Sequence, residues 1–372
     1  MIRLCVPQLG EEECAAVARV LKSGQLIQGA ECLALETKLA GYLDVGHVVV
    51  VSSGTAALHM ALLALDIRQG DAVLVPDFTF PATANVVELA GAKTVLVDVE
   101  KDSYCISGRT LRKAVREWNG PEKLKAIMPV HEFGYPADMD EIGAIAREHN
   151  LLVIEDAACA LGSEHNGKKI GTFGSAGCFS FHPRKALTTG EGGAISTNDG
   201  ALAERLRTLR NHGIVYHEGK VGFPHVGLNY RLTDFQAAIG SVQFAKYPAM
   251  LQERLELKNK YDQLLATLPV TLPAGNKGHI WQTYMILLPS AVNRDNVIKE
   301  LKNKGIETNL GAHALHCLDY YQSVYPEQCQ GAAGNNAEIL YKQGLALPLY
   351  PGLTDGELAK ISAVLAEILG NS

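Results

Sequence analysis

Short apolar runs alternate with amphipathic stretches along the first 156 residues. Runs rich in β-branched residues predict strands at 48–52, 72–76, 93–99, 125–130 and 151–155. The stretches between them carry apolar residues at helical spacing, at 55–65, 82–89, 111–118 and 139–149. Connections of this length join parallel strands, and strands that are apolar throughout are typical of a sheet covered on both faces. We therefore predict an α/β fold with a mostly parallel central sheet and helices on both faces.

The pattern changes after residue 156. The Asn166-Gly167 pair predicts a tight hairpin turn. Strands are expected at 179–181 and 194–196, and helices at 201–210 and 233–268. Beyond the long helix, strands at 281–288 and 306–310 and helices at 293–304 and 355–369 indicate a smaller unit. We therefore divide the chain into a large domain, residues 1–250, with an N-terminal arm that holds a helix at 11–23, and a small C-terminal α+β domain, residues 251–372.

Composition excludes several classes of function. The 372 residues hold 34 Lys and Arg against 40 Asp and Glu, a net charge of −6, with no basic footprint for nucleic acid. No apolar run approaches the ~18 residues of a membrane span, and the glutamates at 11–13 come too early for a signal peptide. The eight cysteines show no C-x-x-C spacing, as is typical of reduced thiols. We expect a cytoplasmic protein that binds neither nucleic acid nor membrane.

Several partial motifs lack a residue that their usual function needs. Residues 162–169 nearly form a P-loop, but Lys169 stands where a hydroxyl must bind Mg²⁺. Residues 189–193 are rich in glycine without the spacing of a dinucleotide-binding loop. Residues 131–135 begin like a zinc-protease helix, but Tyr135 replaces the second histidine. His313 and His316 could form a metal pair but are more typical of a polar loop, so we predict no metal site.

The residues Ser53-Gly54-Thr55 join a valine-rich strand to a helix. Free backbone N–H groups at the start of a helix, together with the helix dipole, favour a bound anion. Thr55 adds a hydroxyl group to the same turn. A plain Ser/Thr helix cap accounts for these residues equally well when they are considered alone.

A carboxylate and a lysine follow two later strands. Asp156 closes an apolar strand, at the edge where open α/β sheets bind ligands. It needs a cationic partner if buried, although it could instead cap the next turn. Lys185 follows another apolar strand, and its apolar and basic neighbours are expected to favour the neutral amine. Ser53-Gly54-Thr55 form an anion cradle at the start of the helix. Together with this cradle, Asp156 and Lys185 are the groups that pyridoxal 5′-phosphate (PLP) requires: a phosphate site, a partner for the pyridinium nitrogen and a Schiff-base lysine.

The chain resembles the nucleotide-sugar aminotransferases of the DegT/StrS family, which are PLP enzymes of fold type I. The resemblance implies transfer of an amino group from an amino acid, L-glutamate in this family, to a nucleotide-linked keto-sugar by a ping-pong mechanism, as in amino-sugar and polysaccharide biosynthesis. It extends through nearly the whole chain and is carried by residues 53–59, 78–80, 82–85, 129–131, 134–139, 155–158, 179–183, 185, 188–193, 211–213, 229–238 and 347–352.

The resemblance also implies roles for individual residues. Lys185 would form the Schiff base with PLP and move a proton during turnover. Asp156 would pair with the pyridine nitrogen, and Phe80 would lie against the face of the ring. The phosphate would be bound by Gly54, Thr55 and Ser180.

Other implied roles concern the substrate and a second subunit. Asn229 would reach the phosphate of the neighbouring subunit and Arg231 its substrate, which implies a homodimer with shared active sites. His316 would face the sugar. Cys159 stands where the family often has Gln or His in support of the cofactor ring, and a thiol is a poor hydrogen-bond donor.

Three other functions remain open. A PLP-dependent sugar dehydratase is one, although related dehydratases have His in place of the Schiff-base lysine. Another reaction of fold type I, such as β-elimination or desulfuration, is the second, and here no flexible cysteine loop is evident. The third is a PLP-binding regulatory protein without turnover.

Overall fold

The computed structural model describes residues 1–370. Its helices are α1 (Glu11–Ser23), α2 (Ala30–Leu43), α3 (Gly54–Ala64), α4 (Ala82–Leu89), α5 (Gly108–Glu117), α6 (Met139–Glu148), α7 (Gly200–Arg210), α8 (Asp234–Leu265), α9 (Arg294–Asn303), α10 (Asp319–Val324), α11 (Pro326–Ala332), α12 (Asn336–Gln343) and α13 (Asp355–Gly370). Its strands are β1 (His47–Val51), β2 (Asp71–Pro76), β3 (Phe78–Thr79), β4 (Lys93–Val97), β5 (Lys123–Ile127), β6 (Leu152–Asp156), β7 (Glu164–His165), β8 (Lys168–Lys169), β9 (Ala176–Ser180), β10 (Gly193–Thr197), β11 (Val215–His217), β12 (Lys220–Gly222), β13 (Tyr284–Leu287), β14 (His313–Ala314) and β15 (Gly344–Leu347).

Seven strands form the central sheet in the order β1-β10-β9-β6-β5-β2-β4. The run from β9 to β4 is parallel throughout, whereas β10 pairs antiparallel with both β1 and β9. The predicted α/β fold with a mostly parallel sheet is confirmed. The first predicted strand differs in one respect, because its sheet neighbour is an antiparallel strand from much later in the chain.

The valine run of β1 shows why its residues are apolar at every position. Val48 and Val50 belong to one hydrophobic core, and Val49 and Val51 belong to another. Successive side chains of a strand point to opposite faces, so a sheet packed by helices on both sides needs apolar residues throughout. The continuous runs at 48–52 and 72–76 therefore predicted their surroundings correctly.

A third core lies in the C-terminal part of the chain. Leu257 and Tyr261 of α8 pack there with Tyr284 of β13 and Ile361 of α13, and Ile2 joins them from the N-terminus. The first half of α8 instead packs on α1 and α2. This long helix therefore connects two cores. Division of the chain at residue 250 stays a prediction.

The smaller elements agree only partly with the predictions. The Asn166-Gly167 turn joins β7 to β8, with positive φ at both residues, as the hairpin prediction required. The strand predicted at 306–310 is wrong, because only Ile306 and Asn309 form isolated bridges there. Helices α2, α10, α11 and α12 were not predicted. Within residues 1–370, no helix combines the length and apolarity needed to cross a membrane.

Candidate active site

A cavity of about 700 Å³ opens at the carboxyl edge of the central sheet. Its walls come from the segments that follow β1, β5, β6 and β9, and from residues 309–313 of the C-terminal part. The carboxyl edge is where parallel α/β sheets place their ligand sites, because the connecting loops converge there. The predicted residues that line the cavity are Gly54, Thr55, Phe80, Asp156, Cys159, Ser180 and Lys185.

One end of the cavity is formed by the start of α3. Ser53 caps this helix, and its Oγ accepts a hydrogen bond from the Ala56 N–H at 3.0 Å. A Cβ at Gly54 would lie 2.7 Å from Cβ of Ser180, which leaves no room for a side chain. Backbone N–H groups at a helix start attract anions. This end of the cavity therefore fits a phosphate group beside the Ser180 hydroxyl.

Asp156 is the last residue of β6 and is only 4% exposed. The Thr83 hydroxyl donates to its Oδ2 at 2.8 Å, and the Ala158 N–H donates to its Oδ1 at 3.1 Å. Burial raises the pKa of Asp156, while these two donors and the charge of Lys185 partly oppose the increase. The carboxyl group is fixed in direction and poorly solvated. A cationic N–H group of a bound ring would satisfy it.

The amine of Lys185 lies beside a thiol. Its Nζ donates to Sγ of Cys159 at 2.9 Å. Burial lowers the pKa of Lys185, but Cys159, Glu132 and Asp156 together outweigh burial, so the pKa is raised. The expectation of a lowered pKa is therefore wrong for the cofactor-free protein. It considered only sequence neighbours, whereas the acidic groups approach from other segments.

Glu132 also lines the cavity, although the sequence did not predict it as a site residue. It belongs to residues 131–135, which resemble a zinc-protease helix but lack its second histidine. It is 5% exposed and faces the same cavity as Lys185 and Asp156. Burial, the largest effect, raises its pKa to about 7, and Lys185 opposes the increase. Its position just after an apolar strand was the signal that could have identified it, since Asp156 was selected by the same criterion.

A buried network holds the segments that carry Glu132 and Asp156. The Nε2 atom of His131 lies 3.2 Å from Oε2 of Glu155, and its Nδ1 accepts from the Ala137 N–H at 3.0 Å. Glu155 also accepts backbone N–H donors from Gly171, Phe173 and Gly174. Because Glu155 and Asp156 are adjacent in β6, this network fixes the strand end that points into the cavity.

The remaining predicted residues differ in their placement. Phe80 is 68% exposed at the cavity. Asn229 and Arg231 do not line the cavity of their own chain, and Arg231 instead donates to Oδ1 of Asn211. The role proposed for both residues in a neighbouring subunit stays a prediction.

The structure does not bring His316 to the cavity. Its Nδ1 bonds Oδ2 of Asp77 at 2.6 Å; burial lowers its pKa, but Asp77 raises it by more. His313 lines the cavity instead, with its Nδ1 buried and unpartnered among the described residues. His313 gains this position because it pairs with Thr79 across the short β14–β3 ladder. The predicted contact of His316 with a sugar is therefore not seen in a single chain.

The fold and the site define an α/β enzyme of the PLP-dependent class. Three groups share one cavity: the anion cradle, where Gly54 has no room for a Cβ, the fixed Asp156 carboxylate and the Lys185 amine. They fit the phosphate, the ring nitrogen and the aldehyde of PLP, respectively.

Comparisons with known proteins agree. Residues 7–366 match the sequence model of the DegT/DnrJ/EryC1/StrS aminotransferase family, and the chain belongs to this family. The predicted PLP-dependent sugar aminotransferase is thereby confirmed, with PLP as its cofactor.

Relatives from several organisms resemble the chain over nearly their whole length. The uncharacterized protein MJ1066 of Methanocaldococcus jannaschii is 35% identical over 98% of this chain and 97% of its own. Helicobacter pylori PseC, an aminotransferase involved in the biosynthesis of pseudoaminic acid, is 28% identical, covers 100% of both chains and superposes with a TM-score of 0.92. S. venezuelae DesV, solved with a ketimine intermediate, is 34% identical over 96% of this chain and 94% of its own, with a TM-score of 0.86.

Proposed function

We propose that the protein transfers an amino group from L-glutamate to a nucleotide-linked keto-sugar. The observation that carries the proposal is the shared cavity of Lys185, Asp156 and the start of α3. The donor and the nucleotide follow from the family resemblance. Among the described residues that line the cavity, Arg184 is the cationic side chain besides Lys185, and it is exposed where a donor carboxylate could pair with it.

PLP, when bound, supplies an aldehyde and an electron-accepting ring. In the proposed mechanism, Nζ of Lys185 would hold the aldehyde end of PLP, and the free amine would carry a proton to and from the carbon beside the substrate nitrogen. Asp156 would keep the ring nitrogen of PLP protonated, and Thr83 and the Ala158 N–H hold the Asp156 carboxylate in a fixed direction. The same residues serve both halves of a ping-pong cycle.

Different parts of the cavity are proposed to bind the cofactor and the sugar. Gly54, Thr55 and Ser180, which line the cavity, would hold the cofactor phosphate at the start of α3, and Phe80 would cover the ring face. Cys159 contacts Lys185 and offers the ring only a weak donor. Residues 309–313 line the same cavity and would contact the sugar.

The substrate proposal is tested by product analysis. Purified PLP-loaded protein is incubated with L-glutamate and a panel of keto-sugars carrying UDP, dTDP or GDP, and products are identified by mass spectrometry. We expect one amino-sugar nucleotide and 2-oxoglutarate. Lys185→Ala should form neither product and lose covalently attached cofactor. Full activity of this variant, or no amino-sugar with any nucleotide, would refute the assignment.

We further propose a homodimer with shared active sites. Exposed apolar side chains cluster in sequence on and after the β11–β12 hairpin, at Tyr216, Val221, Phe223 and Val226, and adjacent exposed apolar residues are typical of a covered surface. Asn229 and Arg231 follow this segment. Mixing Lys185→Ala with Arg231→Ala protomers should restore activity that neither variant has alone. Failure to restore activity in a confirmed mixed dimer would exclude sharing.

The proposed compartment is the cytoplasm. All eight cysteines are free thiols, four of them buried. Free buried thiols are typical of proteins that fold in a reducing environment.

A further inference from the structure

Glu132 is held in the cavity wall by a strained turn. The next residue, Phe133, has a φ of +56°, which is uncommon for a bulky residue, and Gly134 has a φ of +86°. A Cβ at Gly134 would lie 2.7 Å from Cγ1 of Ile280 and 3.0 Å from the Cys159 carbonyl oxygen. Strain of this kind persists only where the surroundings fix it, and it concentrates at functional sites.

Contacts from other segments fix this turn. The Phe133 carbonyl accepts the Gln282 N–H at 3.0 Å and contacts Nε2 of His279 at 3.1 Å. The Gly134 carbonyl accepts the Ser163 hydroxyl at 2.7 Å. The direction of the Glu132 side chain is therefore set by the packed structure around it.

The groups that face the Glu132 carboxyl come from four segments. They are the Lys185 amine, the Asp156 carboxyl, the thiols of Cys159 and Cys105, and the Thr79 hydroxyl. Among the described residues no Lys, Arg or His forms an ion pair with Glu132 at 4.0 Å or less. Nζ of Lys185 also lies beyond that distance, but it lines the same cavity as Glu132, and its charge acts on the Glu132 carboxyl.

We propose that Glu132 is a positioning residue that acts as the counterion of Nζ of Lys185 and sets the pH range in which this nitrogen holds a proton. The inference rests on the proposed function. The pyridine ring nitrogen of PLP would take Asp156 as its partner. Of the other two carboxyls that line the cavity, Glu191 is exposed and Glu132 is buried, so Glu132 is the buried carboxyl left for Nζ. A carboxylate close to a cation in a poorly solvated site stabilises the protonated nitrogen.

The raised pKa of Glu132 is consistent with this role. Burial raises the pKa of Glu132 to about 7, so its charge changes near neutral pH. The charge of Lys185 lowers the pKa of Glu132, and the charge of Glu132 raises the pKa of Lys185, so each charged group favours the other. A carboxyl with only a packing role would have no electrostatic effect on the nitrogen of Lys185.

The test is a pH titration of the visible absorbance of PLP-loaded protein without substrates. Glu132→Gln keeps the size of the side chain and removes its charge, so the absorbance transition should move down by roughly one pH unit or more. Glu132→Asp should largely restore the wild-type transition, and Glu148→Gln, on the exposed end of α6, should match wild type. An unchanged transition in Glu132→Gln overturns the proposal.

A second measurement tests the proposal if Glu132→Gln binds PLP poorly. In cofactor-free protein, the rate at which an acylating reagent modifies Lys185 is followed against pH by peptide mass spectrometry. Glu132→Gln should expose the reactive neutral amine at lower pH than wild type, and equal profiles overturn the proposal. Neither experiment uses a sugar or an amino acid, so failure of the proposed substrate leaves both results interpretable.

Discussion

Glu155→Gln tests the buried network that holds the end of β6. Oε1 of Glu155 accepts the N–H groups of Phe173 and Gly174 at 2.7 and 2.8 Å. Oε2 accepts the Gly171 N–H at 2.7 Å and faces Nε2 of His131 at 3.2 Å. Because Nδ1 of His131 already accepts a backbone N–H, its Nε2 carries the proton and is also a donor.

The cost follows from counting donors. A glutamine offers one carbonyl oxygen and one NH₂ group, so in either orientation its NH₂ group faces two N–H donors. Each buried donor left without an acceptor costs ~1–3 kcal/mol. We therefore expect Glu155→Gln to lower the free energy of unfolding by about 2–6 kcal/mol. Loss of these hydrogen bonds should also displace the side chain of the adjacent Asp156, and this displacement should weaken PLP binding.

Urea unfolding of the cofactor-free protein, followed by circular dichroism, measures the loss. The matched control is Glu141→Gln, because the exposed Glu141 accepts the single Gly108 N–H at 3.0 Å and the amide oxygen of glutamine can still accept it. The control should lose less than about 1 kcal/mol. If Glu155→Gln loses no more than its control, the donor count is the wrong account of this network.

Two further predictions concern the cavity. Gly54→Ala should raise the dissociation constant of PLP about tenfold or more, because its Cβ would meet Cβ of Ser180 at 2.7 Å; titration of cofactor-free protein measures this, and an unchanged constant contradicts it. Glu132 has a pKa of about 7 in the folded protein against an ordinary 4.5, so the folded state binds the extra proton between these values. Its contribution to stability is therefore lost as pH rises through this window, by roughly 3 kcal/mol, at ~1.4 kcal/mol per pH unit. Thermal unfolding of Glu132→Gln should show a smaller loss than wild type from pH 5 to 8, and parallel curves would exclude this contribution.

Local sequence patterns correctly predicted elements whose environment is the same at every residue or is set by neighbouring residues. The valine runs predicted buried strands because two helical layers impose the same apolar requirement on every residue of the sheet. The Asn166-Gly167 pair predicted its hairpin because positive φ at both residues is a local property of that turn. The same locality explains the error at 306–310, where β-branched composition met no partner strand over more than single bridges.

The sequence by itself also determined the chemistry of the cofactor site. Gly54 and Lys185 each follow a strand and Asp156 ends one, and the carboxyl ends of these strands meet at one edge, so topology alone brings the three residues together. Only the tertiary structure decided the protonation of that site. Glu132 reaches Lys185 from the segment after β5, and Asp156 and Cys159 reach it from the end of β6. Together they reverse the effect of burial on the pKa of Lys185. Electrostatic interactions depend on distances through space, and those distances exist only once the chain has folded.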